Sequence, residues 1–373
     1  MTENKLSSGN STKGFFGKLV TNQLFIPLAA LLLLVIFNLI ADPAFFKIAL
    51  EPSSSGNLIL SGNIITIIDN ASELAILAIG MTLVTSASGG QDISVGSAIA
   101  IAGSVVLRII KGYSPDIPAA QFYGTLIGAF ILCVIVSALF GAFNGALVAY
   151  FKIQPMVATL ILFTAGRSIA AWINNNDNIS INDTRFGYFG NFIPGIPVPT
   201  PVFITIICLV VIGLVLKFTN LRLYSQAVGI NSSSSRLNGI NPKSIKLLSF
   251  IILGICVAVC GFIKVSRTSS ITYSVIANNI EMDAILAVAL GGNNLGGGKF
   301  NLTASVIGAY VIQFLTTTLF KFKVSSSAIS AYKAVVVILL IIMSAPIVRK
   351  WFADRKNRRL AARANAATGK EAA

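Results

Sequence analysis

Residues 63–110 read NIITIIDNASELAILAIGMTLVTSASGGQDISVGSAIAIAGSVVLRII, and their hydropathy pattern indicates the class of fold. It contains two long apolar segments, about 63–87 and 93–110, separated by a short polar stretch with Gly89 and Asp92. A helix needs about 20 predominantly apolar residues to cross the hydrocarbon core of a membrane. The pattern therefore predicts two membrane-spanning helices with a break in the backbone between them.

The composition of the whole chain extends this prediction. Of the 373 residues, 55% are apolar and only 11% are charged, whereas an average soluble domain has roughly 25% charged residues. The absence of histidine excludes a Ser-His-Asp triad and a His-based zinc site. We predict an all-α integral membrane protein. The net charge of +15 does not indicate nucleic acid, because the basic residues crowd both ends and one loop without interleaved aromatic residues.

Ten apolar segments are candidate membrane spans, and the eighth crosses only if it is broken, tilted or extended. With ten crossings, 18 Lys and Arg residues lie on one side and 8 on the other, so the positive-inside rule places both termini in the cytoplasm. A cytoplasmic segment 1–23 then precedes a transmembrane domain 24–348. A basic tail 349–373 follows, and contact with anionic membrane lipid is its simplest role. The candidate spans are approximately 24–41, 63–87, 93–110, 122–149, 156–173, 200–217, 247–265, 283–293, 302–320 and 329–347.

Two glycine-rich stretches, near 88–92 and 291–300, are predicted to be broken or re-entrant segments. A break at membrane depth needs hydrogen-bond partners from protein or water, and such breaks often line a transport path. For the first break, a tight cytoplasmic turn capped by Asp92 is an equal alternative. The second is not a Walker A phosphate loop, because Asn293 occupies a required glycine position and Phe300 follows the lysine.

Hydroxyl, amide and charged side chains near the breaks and within the spans are candidates to line a path for a polar solute. Arg167 could equally make a structural ion pair. Gly141 and Gly145, beside Asn144, favour close helix packing over ligand binding. The candidate pathway residues are Thr85, Ser86, Ser88, Asp92, Asn144, Thr159 and Arg167.

The long loop at about 218–246 lies on the predicted cytoplasmic side and has two interpretations. It is either a solvated connector or a helical segment that docks a cytoplasmic partner. The serine run 232–235 could cap or open a short helix, and Asn238 and Gly239 could end it.

Five segments resemble one protein family in their order and combination. They read GMTLV (80–84), GGQDISVG (89–96), KIQPMVATL (152–160), AVGIN (227–231) and DAILA (283–287). Over roughly residues 20–350 the chain is similar to the permease subunits of bacterial sugar ABC importers of the ribose/galactofuranose type. Residues 152–167 and 298–302 look most like the galactofuranose permease.

The resemblance implies a subunit of about ten helices in the bacterial cytoplasmic (inner) membrane. It implies three partners: a second permease subunit (the same or a different chain), a cytoplasmic ABC ATPase and an extracytoplasmic sugar-binding protein. ATP and Mg²⁺ would lie on the ATPase, so this chain would carry no cofactor and no catalytic residue. The family's coupling loop, which docks on the ATPase, matches residues 227–239. This match assigns ATPase coupling to Ala227, Gly229, Asn231, Arg236 and Gly239.

The resemblance does not identify the transported sugar, because the chain departs from the family pattern at Gln91 and in the serine run 232–235. Two other functions are alternatives. An ion-coupled secondary transporter would have to use Glu73, Asp92 and Asp283, which lie near interfaces rather than at the midplane. A membrane-bound transferase is disfavoured, because the chain lacks histidine and a clustered pair of acidic residues.

Overall fold

The structure is a computed structural model that describes residues 24–52 and 58–344. The predicted segments 1–23 and 349–373 lie outside these residues. A long or apolar helix stands at each of the ten predicted spans, and three shorter helices lie in the connections. In chain order the helices are α1 (Phe25–Ala41), α2 (Asn63–Ser88), α3 (Val95–Ile110), α4 (Ala119–Ala149), α5 (Pro155–Ile173), α6 (Thr184–Gly187), α7 (Thr200–Phe218), α8 (Leu221–Ile230), α9 (Ser232–Leu237), α10 (Pro242–Thr268), α11 (Ile280–Leu290), α12 (Leu302–Lys321) and α13 (Ser326–Ser344).

The all-α prediction needs correction in the connections, which contain two antiparallel strand pairs. Strand β1 (Ala49–Pro52) pairs with β2 (Leu58–Ser61), and β3 (Ile179–Ser180) pairs with β4 (Ser270–Ile271). A 3-10 turn at Pro43–Phe46 follows α1. These elements have two to four residues each, too few for their hydrophobic periodicity to mark them in the sequence.

Within the described ranges, six helices are long and apolar enough to cross a membrane by length and composition: α2, α4, α5, α7, α10 and α12. Apolar stretches of α1 and α3 are shorter. Helix α11 has 11 residues, which is too few for a crossing on its own.

Helices α2 and α10 form the centre of the bundle. In each, 67% of the most apolar window is buried, compared with 28% in α4 and α5 and 11% in α7. Small residues bring α4 close to α10. A Cβ atom on Gly141 would overlap the carbonyl oxygen of Phe250, and one on Gly254 would overlap that of Ser137. The prediction that Gly141 serves packing is therefore confirmed.

Helix α3 begins near the middle of the bundle rather than at its surface. Its Gly103 packs against Val265, close to the end of α10, and its Gly96 lies against Ala277 and the Glu281 carboxylate. Because a helix advances 1.5 Å per residue, the start of α3 lies about 12 Å deeper than Gly103. The polar stretch 89–94, which follows α2, therefore runs from one end of the bundle into its interior. We call the end that holds residues 88–91, 150–154 and 291–299 the break end.

Candidate functional site

The two glycine-rich breaks contact each other at the break end. The Gln91 side-chain amide donates to the carbonyl oxygen of Leu295 at 2.8 Å. Gly89 and Gly297 have φ angles of +71° and +94°, a region that favours glycine. A Cβ atom on Gly297 would lie 2.9 Å from the Cα of Gly89. Two segments that are about 200 residues apart in sequence thus form one junction.

Helix α8 completes this junction through Gly229. The amide of Gly298 donates to the carbonyl oxygen of Ser86 at 3.0 Å. A Cβ atom on Gly229 would overlap that same oxygen and would lie 2.5 Å from the Gly298 nitrogen. Only glycine therefore lets α8 touch both the end of α2 and the second break. We call Ser86, Gly89, Gly229, Gly297 and Gly298 the glycine joint, and its contacts are made by main-chain atoms.

The 218–246 loop is a pair of short helices rather than a plain connector. The Asn231 side chain caps α9, because its Oδ1 accepts from the amides of Ser233 and Ser234 at 3.0 Å each. Gly239 follows α9 with a φ of +79°. The serine run opens the helix as predicted, but the cap is the asparagine before it. Ile230 and Leu237 are 75% and 90% exposed, so both present an apolar surface without a covering residue in the described chain.

Asp92 organises a buried hydrogen-bond network beside the first break. Its Oδ1 accepts from the Ser94 amide at 2.8 Å and from the Ser94 hydroxyl at 2.6 Å. Its Oδ2 accepts from the Asn144 amide group at 3.3 Å, and the Thr159 hydroxyl accepts from the Ile93 amide at 3.2 Å. Asp92 is 4% exposed and forms no ion pair with the described residues. Three predicted pathway residues, Asp92, Asn144 and Thr159, thus lie together where α3 begins.

The other predicted hydroxyls lie at the end of α2. Thr85 and Ser86 are fully buried, and their hydroxyls have no hydrogen-bond partner among the described residues. The Ser88 hydroxyl donates to the Val84 carbonyl oxygen at 2.7 Å, which is a common arrangement for serine in a helix. Two buried hydroxyls therefore retain capacity for a further partner.

Arg167 lies apart from these groups. Its Nη1 donates to the carbonyl oxygens of Tyr273 and Ile276 at 2.9 and 3.1 Å. Among the described residues it forms no ion pair, so the predicted carboxylate partner is not found there, and the predicted substrate contact stays a prediction. The side chain instead holds the connection that leads into α11. Acceptors on a remote main chain cannot be identified from residue types.

An ion-pair network between α2 and α10 was missed in the sequence. Lys264 Nζ lies 2.8 Å from Glu73 Oε2, and Arg267 Nε lies 3.1 Å from Glu73 Oε1. Arg267 also pairs with Asp69. The signal was the spacing: Asp69 and Glu73 are four apart and Lys264 and Arg267 three apart, so each pair shares a helix face. Asp283 pairs separately with a lysine of α13, Lys333, at 2.7 Å.

A basic cleft opens at the break end between the α4–α5 turn on one side and α9 with the start of α10 on the other. Its volume is about 830 Å³, and its lining includes predicted residues Ser88, Arg236 and Gly239. No acidic residue of the described chain lines it. The cations in its wall are Lys152, Arg236, Lys243 and Lys246.

Comparison with known proteins shows which family the chain belongs to. The family described as "branched-chain amino acid transport system / permease component" matches residues 63–345. The fructose import permease protein FruF of Bifidobacterium longum (strain NCC 2705) is 33% identical over 96% of this chain and 97% of its own length. The galactofuranose transporter permease protein YtfT of Escherichia coli (strain K12) is 37% identical over 85% and 88%.

A third relative, the ribose import permease protein RbsC of Escherichia coli (strain K12), is 35% identical over 79% of this chain and 89% of its own length. No solved structure matches the chain. Because the family match covers most of the chain and these relatives exceed 30% identity along nearly their whole length, the protein belongs to this family of transport permeases.

Proposed function

We propose that this chain is the transmembrane permease subunit of an ATP-driven importer of a monosaccharide in the bacterial inner membrane. The observation that carries the proposal is the match to three import permeases named for fructose, galactofuranose and ribose, along 79–96% of this chain. The family description mentions branched-chain amino acids, but these relatives are named for sugars. The chain would not hydrolyse ATP itself; a partner ATPase would do so.

The proposed orientation has the break end in the cytoplasm. Asp92 is the only acidic residue that the described chain places at this end, and it is buried. The proposed cytoplasmic location of both termini in a ten-span arrangement is supported by the count of Lys and Arg over the whole sequence, 18 on this side and 8 on the other. The basic residues at this end are Lys152, Lys217, Arg222, Arg236, Lys243, Lys246 and Lys299.

The α8–α9 pair is the proposed docking element for the ATPase. Ile230, Arg236 and Leu237 offer an exposed apolar and basic surface, and Ala227, Asn231 and Gly239 shape the two helices. A displacement of α8 would reach both breaks directly through Gly229. Main-chain atoms in direct contact transmit such a displacement efficiently, because no rotatable side chain lies between them that could absorb it.

The pathway residues have a proposed role in guiding a neutral sugar past the breaks. Hydroxyls of Thr85, Ser86 and Ser88 lie on one side, and the Asp92–Asn144–Thr159 cluster lies where α3 starts. An extracytoplasmic sugar-binding protein would supply the affinity, so weak contacts along the path suffice. A second permease subunit would complete the pathway. Arg167 has a positioning role, because its hydrogen bonds go to the main chain.

An ion-coupled transporter is a weaker proposal than an ATP-driven importer. The acidic residues that would bind the coupling ion are Glu73, Asp92 and Asp283. Buried Asp92 already accepts three hydrogen bonds, and Glu73 and Asp283 each have a lysine within 2.8 Å. A carboxylate that is neutralised by a fixed ammonium group gains little from binding a proton or Na⁺.

Reconstitution in lipid nanodiscs tests the proposed function. The chain is purified with its co-expressed ATPase and sugar-binding protein, and ATP hydrolysis is measured with pentoses and hexoses. We expect sugar-stimulated hydrolysis only in the complete mixture. Failure to assemble, together with sugar uptake that follows an imposed ion gradient without ATP, would refute the importer.

A further inference from the structure

A second polar cavity lies away from the glycine joint, in the other half of the bundle between α2, α10, α11 and α12. Its volume is about 290 Å³, at the lower end of the roughly 300–1,000 Å³ typical of small-molecule pockets. It is open to the surface beside Val275, which is 62% exposed. Its polar lining consists of Asn70, Glu73, Lys264, Asn278, Asp283 and Gln313.

The charged groups in this lining are neutralised by pairing. Glu73 binds Lys264 at 2.8 Å, and Asp283 binds Lys333 at 2.7 Å. Arg267, which also contacts Glu73, is matched by Asp69. The described residues around the cavity therefore leave no net charge to attract an ion. A zwitterionic amino acid would need an unpaired cation and an unpaired anion, and the cavity offers neither.

The amide groups in the lining are largely unoccupied. The side chains of Asn278 and Gln313 make no hydrogen bond with the described residues. Asn70 uses its oxygen to accept from Arg267 at 2.9 Å, which leaves its NH₂ group available. Each amide offers donors and an acceptor. Sugar hydroxyls also donate and accept, so adjacent hydroxyls match a lining of amides and paired ions.

We propose that this cavity is a binding site for a neutral monosaccharide on the permease itself. It lies in the half of the bundle that would face the sugar-binding protein, and a released sugar would enter it before reaching the breaks. The site rests on the proposed import function for its place in transport. The proposed class of ligand, a neutral sugar, follows from the available amide groups and the paired charges in the lining.

Cysteine protection tests the site without ATP hydrolysis. Cys133, Cys256 and Cys260 are buried, so Asn278→Cys in a Cys208→Ala background provides one accessible thiol. We expect fructose, ribose or galactose at millimolar concentration to slow its reaction with a membrane-impermeant maleimide at least threefold. Asn178→Cys, an exposed asparagine in the connection before β3, is the matched control and should react at a constant rate. Equal rates for the Asn278→Cys thiol with every sugar, or protection by leucine instead, would overturn the proposal.

Reconstituted uptake distinguishes this site from the import function as a whole. We expect the double variant Asn278→Ala/Gln313→Ala to lower sugar uptake at saturating loaded binding protein at least tenfold, while the complex with the ATPase still assembles. Gln121→Ala, at an exposed position of α4, should transport normally. Normal uptake by the double variant would reject the cavity and leave the importer intact. Sugar protection of the Asn278→Cys thiol in a protein that drives no ATP-dependent uptake would reject the importer and leave the site.

Discussion

At the scale of residues, the breaks are held by two different kinds of contact. The glycine joint is built from main-chain atoms that approach closely because Gly89, Gly229 and Gly297 lack a Cβ atom. The Asp92 network is built from side chains, and its carboxylate receives two hydrogen bonds from Ser94 and one from Asn144. The first kind cannot tolerate added volume, whereas the second cannot tolerate the loss of an acceptor.

Gly229→Ala should abolish communication between the ATPase and the permease. The new Cβ atom would overlap the Ser86 carbonyl oxygen, so α8 must move away from the joint. We expect sugar-stimulated ATP hydrolysis to fall at least tenfold in the reconstituted complex. The control is Gly213→Ala in α7, where a Cβ atom meets nothing within 4 Å. It should leave stimulation unchanged, and a loss there would show that the assay reports general helix damage.

Asp92→Ala should destabilise the fold. The substitution removes the acceptor of the Ser94 amide and the Ser94 hydroxyl in a buried place, at about 1–3 kcal/mol for each unsatisfied group. The Asn144 NH₂ group keeps its hydrogen bond to the Ser94 hydroxyl oxygen at 3.0 Å. A lower midpoint of thermal unfolding in detergent is the expected result. Asp92→Asn keeps one acceptor oxygen and should cost less. Equal midpoints for Asp92→Ala and the unmodified chain would contradict the network.

At the scale of elements, one arginine makes several of the contacts that hold the connection between α5 and α7. Arg185 Nη1 and Nη2 donate to the carbonyl oxygens of Ile117 and Ser114 at 3.0 and 3.3 Å. Its Nε donates to Asp183 Oδ1 at 2.9 Å, and its guanidinium stacks on the Phe122 ring at 4.6 Å. Arg185 thereby links this connection to the one between α3 and α4, at the end where the sugar-binding protein would dock.

The link should weaken in acid. Hydrogen bonds from Arg185 lower the pKa of Asp183 below its usual range. The stabilisation is therefore complete above the unfolded-state pKa of about 3.9 and is lost as the pH falls from there through the folded-state pKa. Hydrogen exchange over residues 184–199, corrected for intrinsic rates, should be faster at pH 3 than at pH 5. Asp183→Asn should exchange fast at both values, and a pH response in that variant would assign the effect to another group.

At the scale of the whole molecule, the two ends differ in their acidic residues. Apart from buried Asp92, the described acidic residues lie in the middle of the bundle or at the end opposite the breaks, whereas seven basic residues gather at the break end. The order of the helices places the start of α1 and the end of α13 at the break end as well. The described Lys and Arg residues are similar in number at the two ends, so the proposed orientation depends on the basic-residue count of the whole sequence, which includes the two terminal segments.

Cysteine labelling in intact cells tests the orientation. Cysteines introduced at exposed positions 152 and 236 should be inaccessible to a membrane-impermeant maleimide until the cells are permeabilised. Cysteines at exposed positions 116 and 178 should react at once. Reaction at position 152 in intact cells would show that the topology is the opposite of the proposed one.

The sequence predicted the helices well because membrane spans are marked by long apolar runs, and each predicted span has a helix. It also located both breaks, since glycine and polar residues interrupt those runs. It did not predict their contact, because no local pattern indicates that Gly89 lies against Gly297. The partners of Arg167 and Glu73 were missed for the same reason, as they depend on which helices become neighbours.

The glycine joint and the polar cavity share no residue and lie in different halves of the bundle. Mutations that reshape the cavity therefore leave the main-chain contacts of the joint as they are. If the cavity binds the transported sugar as proposed, natural selection can change that sugar by altering a few amide side chains, while the coupling to the ATPase stays the same. A permease encoded by a duplicated gene can then become specific for a new sugar while it keeps the same ATPase.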